Sequence, residues 1–234
     1  MIPKIIHYCW FGGNPLPKYA RENIESWKKF FPDYEIKEWN ENNFNIEIIP
    51  YTQESYKQKN YAFVSDFARY WVLYNFGGLY FDTDVEIIKS FNDIIQQGPF
   101  LGIEKGKSGI FVNPGLGMGA VKGMNFFKLM IDFYSNLDKK IEIKPYLVGK
   151  TTEFLIQSGF LRKDEIQKVK DITIYPNDYF NPLDDYTGKI TITPNTHSIH
   201  YYAKSWIDNY NPLRNKYSRI WHKLKIMLEK LYGS

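Results

Sequence analysis

Apolar positions along this chain follow two periods, and the switches between them mark its elements. Ile2 to Phe11 is an apolar run rich in β-branched and aromatic residues, closed by Gly12-Gly13-Asn14-Pro15, which predicts a buried first strand and a loop. Lys18 to Phe31 has helix-forming composition with apolar Ile24, Trp27 and Phe31, and Pro32 stops it. Tyr34 to Trp39 alternates as a second strand, and a strand, helix, strand order points to an α/β sheet. From Tyr61 to Phe76 the apolar positions Phe63, Val64, Phe67, Tyr70, Trp71 and Tyr74 keep a helical period until Gly77-Gly78 ends it. Further strands are expected at Phe100 to Ile103, Gly115 to Val121 and Ile172 to Tyr175, with helices from Met124 to about Tyr134 and from Thr151 to Ser158. Near the end, Leu213, Tyr217, Ile220, Trp221, Leu224, Met227, Leu228 and Leu231 make one apolar stripe on a helix, with Lys and Arg around it.

The segment Gly77-Gly78-Leu79-Tyr80-Phe81-Asp82-Thr83-Asp84-Val85 carries the chemistry. Read as one strand, its alternation sends Tyr80, Asp82 and Asp84 to one face and Leu79, Phe81 and Thr83 to the other. Two carboxylates side by side repel and resist burial, so a cation between them is expected. Hard Asp oxygens suit Mg²⁺ or Mn²⁺, and both ions keep open positions that accept diphosphate oxygens. That points to a nucleotide-linked substrate. The plain alternative for an Asp-x-Asp step is a solvated turn, which the apolar, Gly-led approach makes less plausible.

With 234 residues, 44% hydrophobic and 24% charged, the chain fits one soluble domain with a substantial core. The expected organisation is residues 1–210 as the catalytic domain and residues 211–234 as a basic amphipathic helix of the same domain. The lone Cys9 excludes an internal disulfide and a cysteine zinc cage. No signal-peptide core follows Met1-Ile2-Pro3-Lys4, and Asp66 and Arg69 interrupt the most apolar segment, so a cytoplasmic protein without a transmembrane span is expected. After Asn211, Arg214, Lys216, Arg219, Lys223, Lys225 and Lys230 face only Glu229, so the net charge of +4 lies in the tail and the rest is near neutral. A near-neutral body argues against a nucleic-acid face. The basic tail suits either packing with a solvated face or peripheral contact with an anionic membrane, at its inner surface.

Other residues gather around the same chemistry. Asp66 and Arg69, three apart, share a face of an otherwise uncharged helix and read either as an internal ion pair or as hydroxyl and phosphate contacts. Trp10 ends the first strand, at the edge where open α/β sheets bind ligands, and reads as a core aromatic or a base-stacking ring. His200 reads as a core histidine or a third metal ligand. Asn113, in Phe111-Val112-Asn113-Pro114-Gly115, reads as a turn residue or a sugar contact.

Four motifs in order now resemble one family. Ile2-Pro3-Lys4-Ile5-Ile6-His7-Tyr8-Cys9-Trp10-Phe11-Gly12, Ser65-Asp66-Phe67-Ala68-Arg69-Tyr70, the Gly-Gly-Leu-Tyr-Phe-Asp-Thr-Asp segment and His200 to Trp206 together look like family 32 of the glycosyltransferases. That group includes bacterial capsular and surface polysaccharide enzymes and the yeast initiating mannosyltransferase, and is related to the glucosylating domain of large clostridial toxins. The resemblance implies an α/β GT-A fold, Rossmann-like, with a mixed central sheet flanked by helices. It also implies a UDP- or GDP-sugar donor, Mn²⁺ or Mg²⁺, a glycan or lipid-linked glycan acceptor and retention of configuration. By position, Asp82 and Asp84 match the metal and donor motif, with Asp84 the more direct ligand, and His200 or a nearby residue completes the metal shell. Asp66 and Arg69 match contacts to ribose, sugar and phosphate, Trp10 the base-stacking ring, and Ser205 and Trp206 the loop over the diphosphate. Catalysis is assigned to Asp84, Asp82 and Arg69, with Asn113 on the sugar side. Gly149-Lys150-Thr151-Thr152-Glu153 stands where the family often has Thr-Gly-Pro, a departure on the acceptor side. Two rival readings are a haloacid-dehalogenase-type phosphatase using Asp82-Thr83-Asp84-Val85 and a carbohydrate-binding relative without turnover.

Overall fold

The structure is a computed structural model and describes residues 1–106, 109–137 and 147–203. Its strands are β1 (Ile5–Cys9), β2 (Glu35–Trp39), β3 (Gly78–Tyr80), β4 (Val85–Ile87), β5 (Phe100–Gly106), β6 (Gly109–Val112), β7 (Met118–Ala120), β8 (Gln167–Val169), β9 (Ile172–Tyr175) and β10 (Ser198–His200). The helices are α1 (Lys18–Phe30), α2 (Pro50–Lys57), α3 (Tyr61–Phe76), α4 (Asn92–Gln96), α5 (Asn125–Ser135), α6 (Leu147–Gln157) and α7 (Asn177–Phe180). The main sheet runs β2-β1-β3-β7-β5-β9-β8, with β6 added to β5, and β4 and β10 pair separately. Pairs β1–β2, β1–β3 and β5–β9 are parallel, whereas β3–β7, β5–β7 and β8–β9 are antiparallel, so the sheet is mixed as the resemblance implies.

Alternation in β1 shows how the sequence builds two faces. Ile6 and Tyr8 enter one core with Ile24 and Trp27 of α1, Ile94 of α4 and Phe180 of α7. Cys9 enters the other, with Val64, Phe67 and Tyr70 of α3, Phe127 and Met130 of α5 and Leu155 of α6. Helices therefore cover both faces, and each apolar side chain buried this way contributes about 1.5–3 kcal/mol.

His7 ties the centre together. Its Nδ1 accepts from the Trp39 indole N–H at 3.1 Å, and its Nε2–H donates to the Gly77 carbonyl at 3.0 Å. Trp39 can only donate and the carbonyl can only accept, which fixes the neutral tautomer. Burial, the largest cause, lowers the His7 pKa from 6.5 to about 4. The Gly77 carbonyl held here belongs to the turn that reverses α3 into β3. Gly78 in that turn has φ 97°, and a Cβ there would lie 2.7 Å from the Ile5 carbonyl, so glycine is required both for the turn and for the approach to β1.

One sequence expectation is corrected at this point. Phe81 to Asp84 is not strand: β3 stops at Tyr80, the chain turns with the Val85 N–H donating to the Asp82 carbonyl at 3.0 Å, and β4 then pairs antiparallel with β10. The turn is imposed from α1. Asn23 Nδ2 donates to the Thr83 carbonyl at 2.8 Å, and Trp27 Nε1 donates to the Val85 carbonyl at 2.9 Å. Strand alternation thus does not aim the two aspartates; a turn between two sheets does. The basic segment 211–234 lies outside the described residues, and among them no helix is long and apolar enough to cross a membrane.

Candidate active site

The turn opens into a cavity of about 760 Å³ at the ends of β1 and β3. Asp82, on its floor, is held through both oxygens. Arg69 Nη1 donates to Oδ2 at 3.2 Å and the Tyr80 hydroxyl donates to Oδ1 at 3.0 Å. Arg69 is positioned in turn by Asp66, whose Oδ1 is 3.2 Å from Nη2, by the Ser65 carbonyl at 3.1 Å, and by the Tyr80 ring 4.9 Å beneath the guanidinium. Its three-residue spacing from Asp66 on α3 is what brings the two together. Burial pushes Asp66 up to about 7, with Arg69 pulling the other way and Asp82 adding to the rise. Asp82 and Asp66 keep the Arg69 guanidinium charged despite its burial.

Asp84 is fixed from the opposite direction. Its Oδ1 lies 3.2 Å from His200 Nε2, its Oδ2 accepts from the Ala203 N–H at 2.7 Å, and its backbone carbonyl accepts from the Tyr201 N–H at 3.0 Å. Tyr202, with φ 49°, turns the chain so that Ala203 can make this bond. Burial works to raise Asp84 and to lower His200, but their mutual attraction outweighs it, so the carboxylate is lowered and the imidazole raised.

One ligand atom each from Asp82, Asp84 and His200 lies within 4.8 Å of the others. This donor set of two carboxylates and one imidazole fits a small divalent cation. Neighbouring ligands on an Mg²⁺- or Mn²⁺-sized ion stand about 3 Å apart, close to the 3.2 Å between Asp84 Oδ1 and His200 Nε2. His200 Nδ1 is buried without a hydrogen-bond partner among the described residues, so the second bond that ordinarily fixes the tautomer of a metal-bound imidazole is not supplied by them.

Most of the residues expected from sequence converge here. Trp10, Asp66, Arg69, Asp82, Asp84 and His200 all line the cavity, as does Asn113. Trp10 is half-buried, its indole N–H donating to the Asn14 carbonyl at 2.6 Å, which leaves its ring on the wall rather than in the core. Ser205 and Trp206 lie outside the described residues. Sequence reasoning missed Glu104 and Tyr202, which also line the cavity. Glu104 accepts from Asn113 Nδ2, while Asn113 Oδ1 accepts from the Gly115 N–H at 2.8 Å. The available signal was a carboxylate directly after the apolar run Phe100 to Ile103; its partners are set by the β5–β6 hairpin, which was not assigned.

Residues 17–101, which include both aspartates, match the family described as the glycosyltransferase sugar-binding region containing the DXD motif. An uncharacterized glycosyltransferase, L373 of Acanthamoeba polyphaga mimivirus, is 28% identical over 200 residues, covering 81% of this chain and 76% of that protein. Inositol phosphoceramide mannosyltransferase 3 of Schizosaccharomyces pombe is 30% identical over 129 residues, 53% of this chain and 35% of its own length, so the chain spans about a third of that enzyme. Among solved structures, the PaToxG glycosyltransferase aligns with a TM-score of 0.53 at 18% identity, over 67% of this chain and 69% of that one. The family match sets aside the phosphatase reading of Asp82-Thr83-Asp84. Residues 17–101 thus carry a match to the glycosyltransferase sugar-binding region containing the DXD motif, on a mixed sheet of the GT-A type.

Proposed function

We propose that the chain transfers a sugar from a UDP- or GDP-sugar to a hydroxyl of a glycan or lipid-linked glycan, with Mn²⁺ or Mg²⁺ and with retention of configuration. The observation that carries this reading is the convergence of Asp82, Asp84 and His200 beside the buried Arg69 at the floor of one cavity. Asp82, Asp84 and His200 would hold the ion, which when bound offsets the negative charge gathering on the leaving diphosphate. Arg69 supplies a second, fixed positive group at the same place, already oriented and desolvated, so it needs no reorganisation as charge develops. Its pairing with Asp66 and the Tyr80 ring holds it there in the resting protein. Asn113 and Glu104, bonded to each other on another part of the wall, are placed for sugar hydroxyls rather than phosphate, because the carboxylate repels anions.

Retention fits a site in which the departing phosphate oxygen takes the acceptor proton on the same face, with no separate protein base. Ser205 and Trp206, on the family resemblance alone, are assigned to cover the diphosphate. A role in capsular or surface polysaccharide synthesis at the inner face of the membrane follows from the same resemblance together with the basic tail. Removing residues after Pro212 is expected to reduce flotation with anionic liposomes, and unchanged flotation would confine the tail to packing or solubility.

The central test is Asp84→Ala. Calorimetry with nucleotide sugars and Mn²⁺ is expected to show the loss of metal-dependent donor binding, and transfer or donor hydrolysis should fall to background. A variant that binds donor with unaltered Mn²⁺ dependence rejects the assignment.

A further inference from the structure

Lys59 occupies a costly backbone position at the rim of the cavity. Helix α2 ends in a Schellman motif: the Asn60 N–H donates to the Ser55 carbonyl at 2.8 Å and the Lys59 N–H to the Tyr56 carbonyl at 2.9 Å. The residue after the cap in this motif is normally glycine, because it must be left-handed. Lys59 stands there with φ 59°. Of the described non-glycine residues with positive φ, Lys170 serves the β8–β9 hairpin, Tyr202 orients the bond to Asp84, and Lys59 closes α2 at a position where glycine would do so at lower cost.

Its charge is also uncommitted. Arg69 is paired with Asp66 and Asp82, and His200 with Asp84, whereas Lys59 lines the cavity with no ion pair among the described residues. Its place along the cavity follows from its neighbours. The Tyr61 ring lies against Gly12, where a Cβ would come within 2.4 Å of the ring. Tyr56, packed on Tyr61 with ring centres 5.3 Å apart, is hydrogen-bonded to Glu41, which also accepts from the Gly12 N–H. The segment carrying Lys59 is therefore fastened to the loop after β1, at the Trp10 end of the cavity.

We propose that Lys59 forms the polar wall of the nucleobase subsite, donating from its ammonium to a keto oxygen of the base stacked on Trp10, and so selects a uracil or guanine nucleotide over a cytosine or adenine one. This rests on the nucleotide-sugar reading above. An ammonium has donors only, and the groups that distinguish these bases on that edge are keto oxygens in uracil and guanine but amino groups in cytosine and adenine. Lys59 is exposed at the rim, so a keto oxygen gains one charge-assisted hydrogen bond there that an amino group cannot make, and the discrimination rests on that bond.

The test is calorimetry with UDP, GDP, CDP and ADP in the presence of Mn²⁺, on the wild-type chain, Lys59→Gly and Lys59→Met, with thermal melts alongside. The wild type is expected to bind one of the keto-base diphosphates roughly tenfold more tightly than its amino counterpart. Lys59→Gly should reduce that preference to about twofold or less, while its Tm equals or exceeds that of the wild type because glycine suits the left-handed position. Lys59→Met keeps the length without the charge and should lose the preference equally. Retention of the full preference in both variants overturns the proposal. So does an equal loss of affinity for all four diphosphates, which would place the lysine against phosphate. If the wild type binds none of the four, the nucleotide-sugar reading fails and the subsite fails with it.

Discussion

Gly115 tests whether the carboxylate at position 82 must stay where the structure holds it. A methyl group added at this position would stand 2.5 Å from Asp82 Oδ2 and 3.1 Å from Asn113 Oδ1, against 3.4 Å for the start of ordinary contact. Gly115 does not use the left-handed region, so alanine suits its backbone and the conflict is with the side chains alone. The softer partner is Asp82, whose side chain is 27% exposed and can move outward by about 0.9 Å. That movement lengthens its bond to Arg69 and shifts one of the three groups that converge at the site. Misplacement of a reacting group by about 1 Å costs on the order of a hundredfold in rate. Stability should change little, because solvent can take up the displaced carboxylate and Arg69 keeps Asp66. A loss of about 1 kcal/mol for a weakened hydrogen bond is largely offset by the reduced freedom of alanine in the unfolded chain. Gly115→Ala is therefore expected to lower donor hydrolysis or transfer about a hundredfold with Tm within about 3 °C of the wild type. Wild-type turnover, or a loss of Tm large enough to explain the loss of activity, would refute the reasoning.

Two further outcomes follow from buried groups that support the site. His7 is neutral in the fold, with its pKa lowered from 6.5 to about 4, so the unfolded chain binds a proton that the folded one refuses. Its contribution is intact above pH 6.5 and is lost progressively as pH falls toward 4, by about 3 kcal/mol in all. Urea unfolding from pH 7 to 4 should show this slope, and His7→Gln, less stable at neutral pH, should show a shallower one; equal slopes would mean that other groups carry the effect. Asn23→Ala removes the bond to the Thr83 carbonyl and should cost about 1–3 kcal/mol together with a fall in kcat. Unchanged activity after the loss of stability would show that the turn between the aspartates does not depend on α1.

What the sequence makes legible is what is local. The span Tyr61–Phe76 of α3 follows from its helical period and the Gly77 stop, and the span Ile172–Tyr175 of β9 from a short β-branched run. Asp66 and Arg69 were readable as a pair because helical spacing alone brings them together. The path from Phe81 to Asp84 was not, because the groups that bend it, Asn23 and Trp27, lie about 60 residues earlier in the chain. Helix α2 was missed for another reason: its buried residues Tyr51, Thr52 and Ser55 are mostly polar and give no apolar stripe. Glu104 owes its position to a bond to Asn113 made across the β5–β6 hairpin, which no periodicity reveals.

The break in the strand also explains how so much charge is held in one place. Had β3 run on through Asp84, both carboxylates would have stood on one sheet face and would have had to share whatever cations that face offered. By leaving the main sheet at Phe81 and pairing β4 with β10, the chain gives each aspartate its own support: Arg69 and Tyr80 for Asp82, and His200 and the Ala203 N–H for Asp84. Two anions that would raise each other's cost of ionisation are thereby stabilised from opposite sides, and their remaining lone pairs face a common space. The same exchange of sheets carries His200, more than a hundred residues distant in sequence, to the place where a third ligand is useful. A substitution that merely straightened this turn, with every aspartate retained, should therefore abolish the site as completely as removal of Asp84 itself.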